Sequence, residues 1–285
     1  MLSWQDATGA AAGLAIIALT AGAVRRHRPA RAWITWGGVA REAAVLFGLY
    51  ALWQFAGSFT VMSRAGAMSR GHWLWHAERV LHLPSETSVQ RLFLPHPLLV
   101  QAFNLYYDTL HFAALGACLI WLYVRHRDRY PAIRTTVALF TGASLLIQLI
   151  PVAPPRLLPV TGPGGTGLVD TAVRYGQSVY SWHGGFNADE FSAMPSVHVG
   201  WALIVAIGVI AASPSRWRWL AAGYPLLTLL VVVVTANHFW LDGIVAGLLV
   251  VLVMAVQQVA RRLRSGRDRV AGPAADVPGE ISVRT

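Results

Sequence analysis

Long apolar stretches separated by short polar segments dominate the sequence. Several are long enough to cross a bilayer as helices, because a hydrocarbon core about 30 Å thick needs ~20 apolar residues. Lipid offers no partner for unpaired backbone groups, so each crossing segment should be helical. The pattern therefore predicts an all-α, polytopic membrane helix bundle of about seven transmembrane helices. The predicted spans lie near residues 7–24, 43–62, 102–124, 135–153, 196–212, 219–236 and 239–260.

Two of the connecting segments are long, residues 63–101 and 154–195. The first contains Trp73 and Trp75 among apolar residues, which predicts an amphipathic helix at the membrane interface. The second is rich in proline and glycine, which predicts an extended cap over the outer ends of the spans. The end of the sequence lacks apolar periodicity. We divide the chain into an N-terminal span with a basic inner loop (1–42), a membrane-embedded domain (43–262) and a disordered cytoplasmic tail (263–285).

The composition excludes ordinary soluble proteins. Of the 285 residues, 55% are hydrophobic and 13% are charged, whereas soluble domains carry about 25% charged residues. A disordered protein would be poor in apolar residues. Cys118 is the only cysteine, which excludes a disulfide scaffold.

The distribution of charge predicts the orientation of the chain. The formal net charge is +10, and every one of the 23 basic residues is arginine. Most arginines cluster in alternate connections between the apolar stretches, as the positive-inside rule requires, so the charge does not indicate a nucleic-acid partner. We expect a multi-pass protein of the cell (plasma) membrane, with its N-terminus outside and its C-terminus cytoplasmic.

Residues 1–24 also allow an alternative interpretation, a signal peptide that ends at Ala21-Gly22-Ala23. Signal peptides carry positive charge before their apolar region. Here Asp6 precedes that region and Arg25 follows it. The order of charges favours a membrane anchor that begins outside.

One pair of polar residues stands at the outer end of the last predicted span. His238 and Asp242 are four residues apart, so they share a helix face and the carboxylate can reach a ring nitrogen. A carboxylate within a span is costly and is usually paired and functional. The pair predicts a histidine whose second nitrogen acts as a nucleophile or base, although a purely structural hydrogen bond explains it as well.

Two further groups fall at the same outer face. Ser196 is placed to cap the fifth predicted span, with His198 in its first turn, and a helix N-terminus binds anions. Arg156 follows the fourth span, and its planar guanidinium suits bidentate contact with phosphate. Each group alone fits a structural role, but their common location favours one phosphate-binding site.

These motifs resemble those of the type-2 phosphatidic acid phosphatase superfamily. The motifs Ala-Pro-Pro-Arg156, Ala-Met-Pro-Ser-Val-His198 and Asn-His238-Phe-Trp-Leu-Asp242 are most similar to its inositol phosphorylceramide synthase branch. The resemblance covers about residues 100–260 and implies a six-helix core, with the first span as an addition.

The resemblance also implies roles for single residues. It implies that His238 attacks phosphorus, that Asp242 orients His238, and that His198 protonates the leaving oxygen. Arg156 and the amides near Ser196 would hold the phosphoryl oxygens. It implies a phosphohistidine intermediate, a phospholipid or other lipid-phosphate substrate, and neither metal nor cofactor.

The sequence departs from the phosphatases of this family at two cationic positions. Their first motif pairs a lysine with an arginine, and this chain has no lysine. Their third motif has serine and arginine where this chain has Val231 and Val232. Fewer cations suit a phosphodiester, with one negative charge, better than a monoester with nearly two. We therefore favour a headgroup transferase over a lipid phosphate phosphatase; a non-catalytic transporter or lipid-binding protein is a more distant alternative.

Polar residues near the third span, in the second long loop and directly before His238 are candidates for contact with a lipid headgroup. Bracing of the helix bundle explains those in the span equally well. No metal site is predicted, because His72 and His76 lack a closely spaced further ligand. The headgroup candidates are Tyr107, Asp108, His111, Arg174 and Asn237.

Overall fold

The structure is a computed structural model that describes residues 4–27, 38–45, 47–48, 51, 64–162, 164–176 and 191–270. Within these ranges the regular structure is helical, apart from one isolated parallel bridge between Val152 and Ser192. This confirms the predicted all-α membrane bundle.

Helices follow one another along the described chain, and a long connection, residues 149–170, separates two of the α-helices. Residues 38–45 are helical as well. A π-helical segment, Tyr106–Leu110, and 3₁₀ segments at Pro155–Leu157 and Arg216–Ala222 interrupt the α-helices. The α-helices are α1 (Trp4–His27), α2 (Arg64–Val80), α3 (Glu86–Phe93), α4 (Pro97–Leu105), α5 (His111–Arg125), α6 (Tyr130–Gln148), α7 (Thr171–Tyr175), α8 (Val197–Ala212), α9 (Gly223–Val234) and α10 (Trp240–Val270).

The apolar helices match the predicted spans where the structure describes them. The helices long and apolar enough to cross a membrane are Pro97–Arg125, Tyr130–Gln148, Arg216–Val234 and Trp240–Ser265, and shorter apolar helices occupy Thr8–Leu19 and Val197–Ala212. Most of the predicted span 43–62 lies outside the described residues.

Two predicted boundaries differ from the structure. The span predicted at 135–153 ends as helix at Gln148, because Pro151 disfavours helix in the residue before it. The tail predicted to be disordered from residue 263 begins as helix, since α10 continues to Val270. Residues 271–285 lie outside the described part of the chain.

Helix α8 is central to the described bundle and contacts α5, α6, α9 and α10. Gly200 permits close packing with α6, because a Cβ at that position would stand 1.9 Å from Cζ of Phe140. Next to it, Trp201 Nε1 donates a hydrogen bond of 3.0 Å to Thr141 Oγ1. These contacts fix the position of α8, whose first turn carries His198.

The α2–α3 hairpin and the segment after α6 pack together at one end of the bundle. Arg70 Nε donates to the carbonyl of Pro151 at 2.6 Å, and the amide of Ala153 donates to the carbonyl of Ala67 at 3.0 Å. A Cβ at Gly71 would lie 2.7 Å from the carbonyl oxygen of Ala153, so the backbones touch there. The long first connection is therefore helical and structured, as predicted for its tryptophan-containing part.

The opposite end of the bundle is held by a buried carboxylate. Glu42 Oε2 accepts hydrogen bonds from Arg134 Nη1 at 2.5 Å and from the hydroxyl of Tyr130 at 3.1 Å. Residues 38–45 therefore meet the beginning of α6. Glu42 and Arg134, which end two of the predicted inner loops, therefore lie at the same end of the bundle.

Candidate active site

His238 lies in a tight turn between α9 and α10. Ala236 has a positive φ of 55°, which reverses the chain direction directly after α9. The amides of Asn237 and His238 both donate to the carbonyl of Val232, at 3.0 and 3.1 Å. This turn brings the imidazole of His238 against the segment that leads into α8.

The hydrogen bond of His238 fixes its tautomer. Nδ1 lies 2.7 Å from the carbonyl oxygen of Ala193, and a carbonyl only accepts, so Nδ1 carries the proton. In the neutral ring, the lone pair is therefore on Nε2. Nε2 is buried, and no side chain or backbone group in the described part of the chain forms a hydrogen bond to it.

Asp242 is completely buried beside His238. Its Oδ2 lies 3.3 Å from His238 Nδ1 and accepts a shorter hydrogen bond of 2.8 Å from the amide of Phe239. The i, i+4 spacing therefore brings the pair together, but the nearest partner of His238 is Ala193. Sequence motifs report side chains, so they gave no signal for that backbone carbonyl.

Ser196 caps α8, as its position in the sequence predicts. Its Oγ accepts a hydrogen bond of 3.4 Å from the amide of Val199, and its side chain is buried. Its own amide donates to the carbonyl of Asp242 at 3.1 Å. The first turns of α8 and α10 are thus joined directly, and the motifs that contain His198 and His238 meet.

Aromatic rings surround His198. The ring of Tyr107 stacks on it with centroids 4.2 Å apart, and the ring of His111 meets it edge-on at 4.2 Å. The centroid of His238 is 5.5 Å away. Tyr107 lies in the π-helical segment, and π-bulges are frequent at functional sites. Two of the headgroup candidates therefore reach the histidine pair, while Asp108 is half-buried on the same segment.

Arg156 is fixed beside the turn that carries His238. Its Nε donates to Asn237 Oδ1 at 3.0 Å, and its Nη1 donates to Asp170 Oδ2 at 3.4 Å. Its amide donates to the carbonyl of Ala236 at 2.9 Å, and its side chain is only 5% exposed. The structure brings Arg156 and Asn237 to the site; it also adds Asp170, whose role as an arginine partner the sequence did not indicate.

Asp170 has a second function in the fold. Its Oδ1 accepts from the amides of Ala172 and Val173, at 3.0 and 3.1 Å, and so caps α7. A helix cap fixes the carboxylate whether or not a ligand is present. The guanidinium of Arg156 is therefore oriented by a rigid partner.

Arg174 is not drawn into this cluster. It is exposed on α7, and its guanidinium carbon lies 5.4 Å from the ring centroid of its neighbour Tyr175. Val231 and Val232 are fully buried in the apolar core. Within the described ranges, no group of three or more His, Cys, Asp or Glu side chains is arranged to hold a metal ion.

A family model described as the PAP2 superfamily matches residues 72–256. This range begins within α2, ends within α10 and includes every residue of the candidate site. No curated protein and no solved structure matches the chain.

Proposed function

Because the chain belongs to the PAP2 superfamily, we propose that it is an integral membrane lipid phosphotransferase. It transfers a phosphoryl headgroup, such as inositol phosphate, from one lipid to another through a phosphohistidine intermediate. Membership of the superfamily supports a lipid-phosphate activity of the phosphatase or phosphotransferase type, and the apolar helices support a substrate within the bilayer.

The reaction proceeds in two displacements at phosphorus. In the first, Nε2 of His238 attacks, a P–N bond forms, and the bond from phosphorus to the oxygen of the lipid alcohol breaks. His198 gives its proton to that leaving oxygen. In the second, His198 takes the proton of the acceptor hydroxyl, the acceptor oxygen attacks phosphorus, and the P–N bond breaks to return His238.

The observation that carries this proposal is the fixed tautomer of His238. The carbonyl of Ala193 lies 2.7 Å from Nδ1, which leaves the lone pair of the neutral ring on Nε2. The centroid of this ring is 5.5 Å from that of His198. A neutral imidazole with a buried lone pair is prepared to attack without first losing a proton. Asp242, 3.3 Å from the same Nδ1, stabilises the positive charge that develops on the ring.

The cationic groups near the site favour a phosphodiester. Arg156 and the amides at the N-terminus of α8, after Ser196, supply the positive field for the phosphoryl oxygens. Asp170 already neutralises part of the charge of Arg156. A diester, which carries one negative charge, matches this reduced field better than a monoester.

The groups around His198 are suited to a polar headgroup. The Tyr107 and His111 rings contact His198 directly, and Asp108 lies in the same turn. Hydroxyl, imidazole and carboxylate groups hydrogen-bond to polyols. We propose that these three side chains, with Asn237, contact the headgroup; the exposed Arg174 would meet it only at the entrance.

The test uses purified protein in proteoliposomes with phosphatidylinositol or phosphatidic acid, with and without a lipid alcohol. Mass spectrometry identifies the phosphorus-containing product. We expect a new phosphodiester only when the alcohol is present, and unchanged turnover in a metal chelator. Free phosphate as the only product would instead establish a lipid phosphate phosphatase, in which water replaces the alcohol. No turnover of either lipid would favour a transporter.

Variants of the two histidines test the mechanism itself. His238→Ala removes the nucleophile, and His198→Ala removes the general acid and base, which contributes about 10²–10⁴-fold. We expect each variant to lose at least about a hundredfold in turnover. The matched control is His96→Ala, at an exposed histidine before α4. Full activity in either active-site variant would contradict the mechanism.

A further inference from the structure

Two completely buried carboxyl groups lie outside the residues used above. Glu78 is near the end of α2 and Glu86 begins α3, and neither side chain is accessible to solvent. Burial of a charged carboxylate is costly unless it is paired or protonated. Both residues therefore require a structural or functional explanation.

Glu78 contacts the segment between the two residues of the His238–Asp242 pair. Its Oε1 accepts a hydrogen bond of 2.8 Å from the amide of Leu241, one of the free amides at the beginning of α10. In the same hairpin, the carbonyl of Pro84 accepts a hydrogen bond of 2.8 Å from Trp240 Nε1.

The apolar side of the same segment is held as well. Phe239 is fully buried and packs in one cluster with Ala67 and Leu74 of α2. Residues 239–241 are thus bound to the α2–α3 hairpin by a carboxyl group, a carbonyl group and an apolar cluster. The hairpin determines where the first turn of α10 begins.

A second buried carboxyl group, that of Glu86, lies beside Glu78. Oε2 of Glu78 and Oε1 of Glu86 are buried without a hydrogen-bond partner among the described residues. The two side chains are within hydrogen-bonding reach of each other. The second oxygen of Glu86 pairs with Arg79 Nη2. A proton carried by Glu78 and donated to Glu86 would satisfy both remaining oxygens.

Burial and the surrounding charges keep that proton on Glu78 at neutral pH. Burial, followed by the Glu86 carboxyl group, raises the pKa of Glu78 to about 9, and the charge of Asp242 acts in the same direction. Asp242 faces Glu78 from α10, Glu86 faces it from α3, and Arg79 is its neighbour on α2. Glu86 and Arg79 balance each other's charge.

We propose that Glu78 is a positioning residue of the phosphotransfer site, whose uncharged carboxyl group fixes the first turn of α10 and thereby the His238–Asp242 pair. The inference rests on the proposed function. A protonated carboxyl group binds the Leu241 amide without placing another negative charge beside Asp242, which would oppose the binding of a phosphate ester.

The kinetic test compares Glu78→Gln with Glu78→Ala in proteoliposomes. Glutamine keeps the acceptor for Leu241, donates to Glu86 and cannot ionise, whereas alanine removes both contacts. We expect Glu78→Ala to lower kcat by about 10- to 100-fold with little change in KM, since small displacements of reacting groups carry losses of that order. The kcat of Glu78→Gln should stay within about threefold of the wild-type value at pH 7. A threefold change is smaller than the tenfold change that corresponds to about 1.36 kcal/mol of activation free energy.

The pH profile separates positioning from simple structural support. In the wild type, Glu78 loses its proton as the pH rises through about 9, so kcat should fall there. Glu78→Gln should keep its rate through the same range. The control is Ser85→Ala, which removes only the hydroxyl that caps α3 in the same hairpin. Ser85→Ala should keep the wild-type kcat at neutral pH and should show the same fall of kcat at alkaline pH as the wild type.

Hydrogen–deuterium exchange supplies a readout that needs no substrate. Peptides that cover residues 238–243 should exchange faster in Glu78→Ala, but not in Glu78→Gln or Ser85→Ala. If the wild type turns over no lipid, the proposed function fails, and the exchange data still decide the role of Glu78.

Three results would overturn the proposal. The first is a wild-type kcat or a wild-type exchange rate in Glu78→Ala. The second is a loss of kcat in Glu78→Gln equal to that in Glu78→Ala. The third is a fall of kcat at alkaline pH that persists in Glu78→Gln. If the alanine variant does not fold, the pH profile of the glutamine variant decides.

Discussion

At the scale of single residues, the fixed orientation of Arg156 supports the phosphate-binding role that we propose for it. Its guanidinium contacts Asn237 through Nε and Asp170 through Nη1, at 3.0 and 3.4 Å. Both partners are themselves anchored, Asn237 in the turn after α9 and Asp170 as the cap of α7. A guanidinium can satisfy these two partners at once because its donors point in fixed, different directions.

Substitution of Arg156 therefore tests geometry as well as charge. Lysine keeps the charge but cannot span both partners, so we expect Arg156→Lys to lower kcat/KM by about tenfold or more. Arg156→Ala should lower it by about 10²–10³-fold, as expected for a lost transition-state donor. Steady-state kinetics measure both effects. Arg129→Ala, at an exposed arginine before α6, is the control; equal activity of the lysine variant and the wild type would contradict the fixed geometry.

At the scale of elements, the approach of α8 to α6 determines where His198 lies. Gly200 is one turn into α8 and faces the ring of Phe140, with no room for a Cβ. Val197–Ala212 is short for a span, so its position depends on packing against its neighbours. A displacement of α8 would move His198 relative to Tyr107 and His238.

Gly200→Ala should consequently reduce both stability and activity. Overpacking of this kind costs about 1–3 kcal/mol, and we expect a lower Tm in detergent together with a lower kcat. Gly200→Ala combined with Phe140→Leu should recover part of both. Gly208→Ala, on the same helix, is the control, because its Cβ would meet no atom closer than 3.5 Å. Equal Tm values for the two single variants would contradict the packing argument.

At the scale of the whole molecule, the two ends of the bundle differ in chemistry. The end that holds His238 also carries the α2–α3 hairpin and the segment with Arg156. The other end carries the buried Glu42. Burial opposes the ionisation of this carboxyl group, but the hydrogen bond and charge of Arg134 outweigh that effect, so the pKa of Glu42 is lowered. The α5–α6 connection, which contains Arg127 and Arg129, lies at this second end. We propose that this end faces the cytoplasm, with the active site at the outer face of the cell membrane.

Cysteine labelling tests this orientation. Cys118, the only cysteine, is buried and is replaced by serine to give a background without thiols. His96→Cys and Asp128→Cys then mark opposite ends at exposed positions. A membrane-impermeant maleimide should label His96→Cys in intact cells and Asp128→Cys only after permeabilisation. The reverse pattern would invert the proposed topology.

Much of the element pattern follows from local sequence, with informative exceptions. The apolar lengths predicted the helices from residue 97 to residue 265, apart from their exact ends. The π-helical segment at Tyr106–Leu110 and the positive φ of Ala236 were not predicted. Neither is encoded by apolar periodicity, because both depend on how backbone amides find partners in the packed structure.

The sequence by itself determined the membrane class, the helical architecture and the candidate reactive residues. Apolar length and the spacing of His238 and Asp242 are local properties of the sequence. Only the tertiary structure decided which groups surround them. Ala193, Asp170 and Glu78 reach the site from distant parts of the chain, and no local pattern records such contacts. Packing therefore turns two histidine motifs into one site with a fixed tautomer and an anchored arginine.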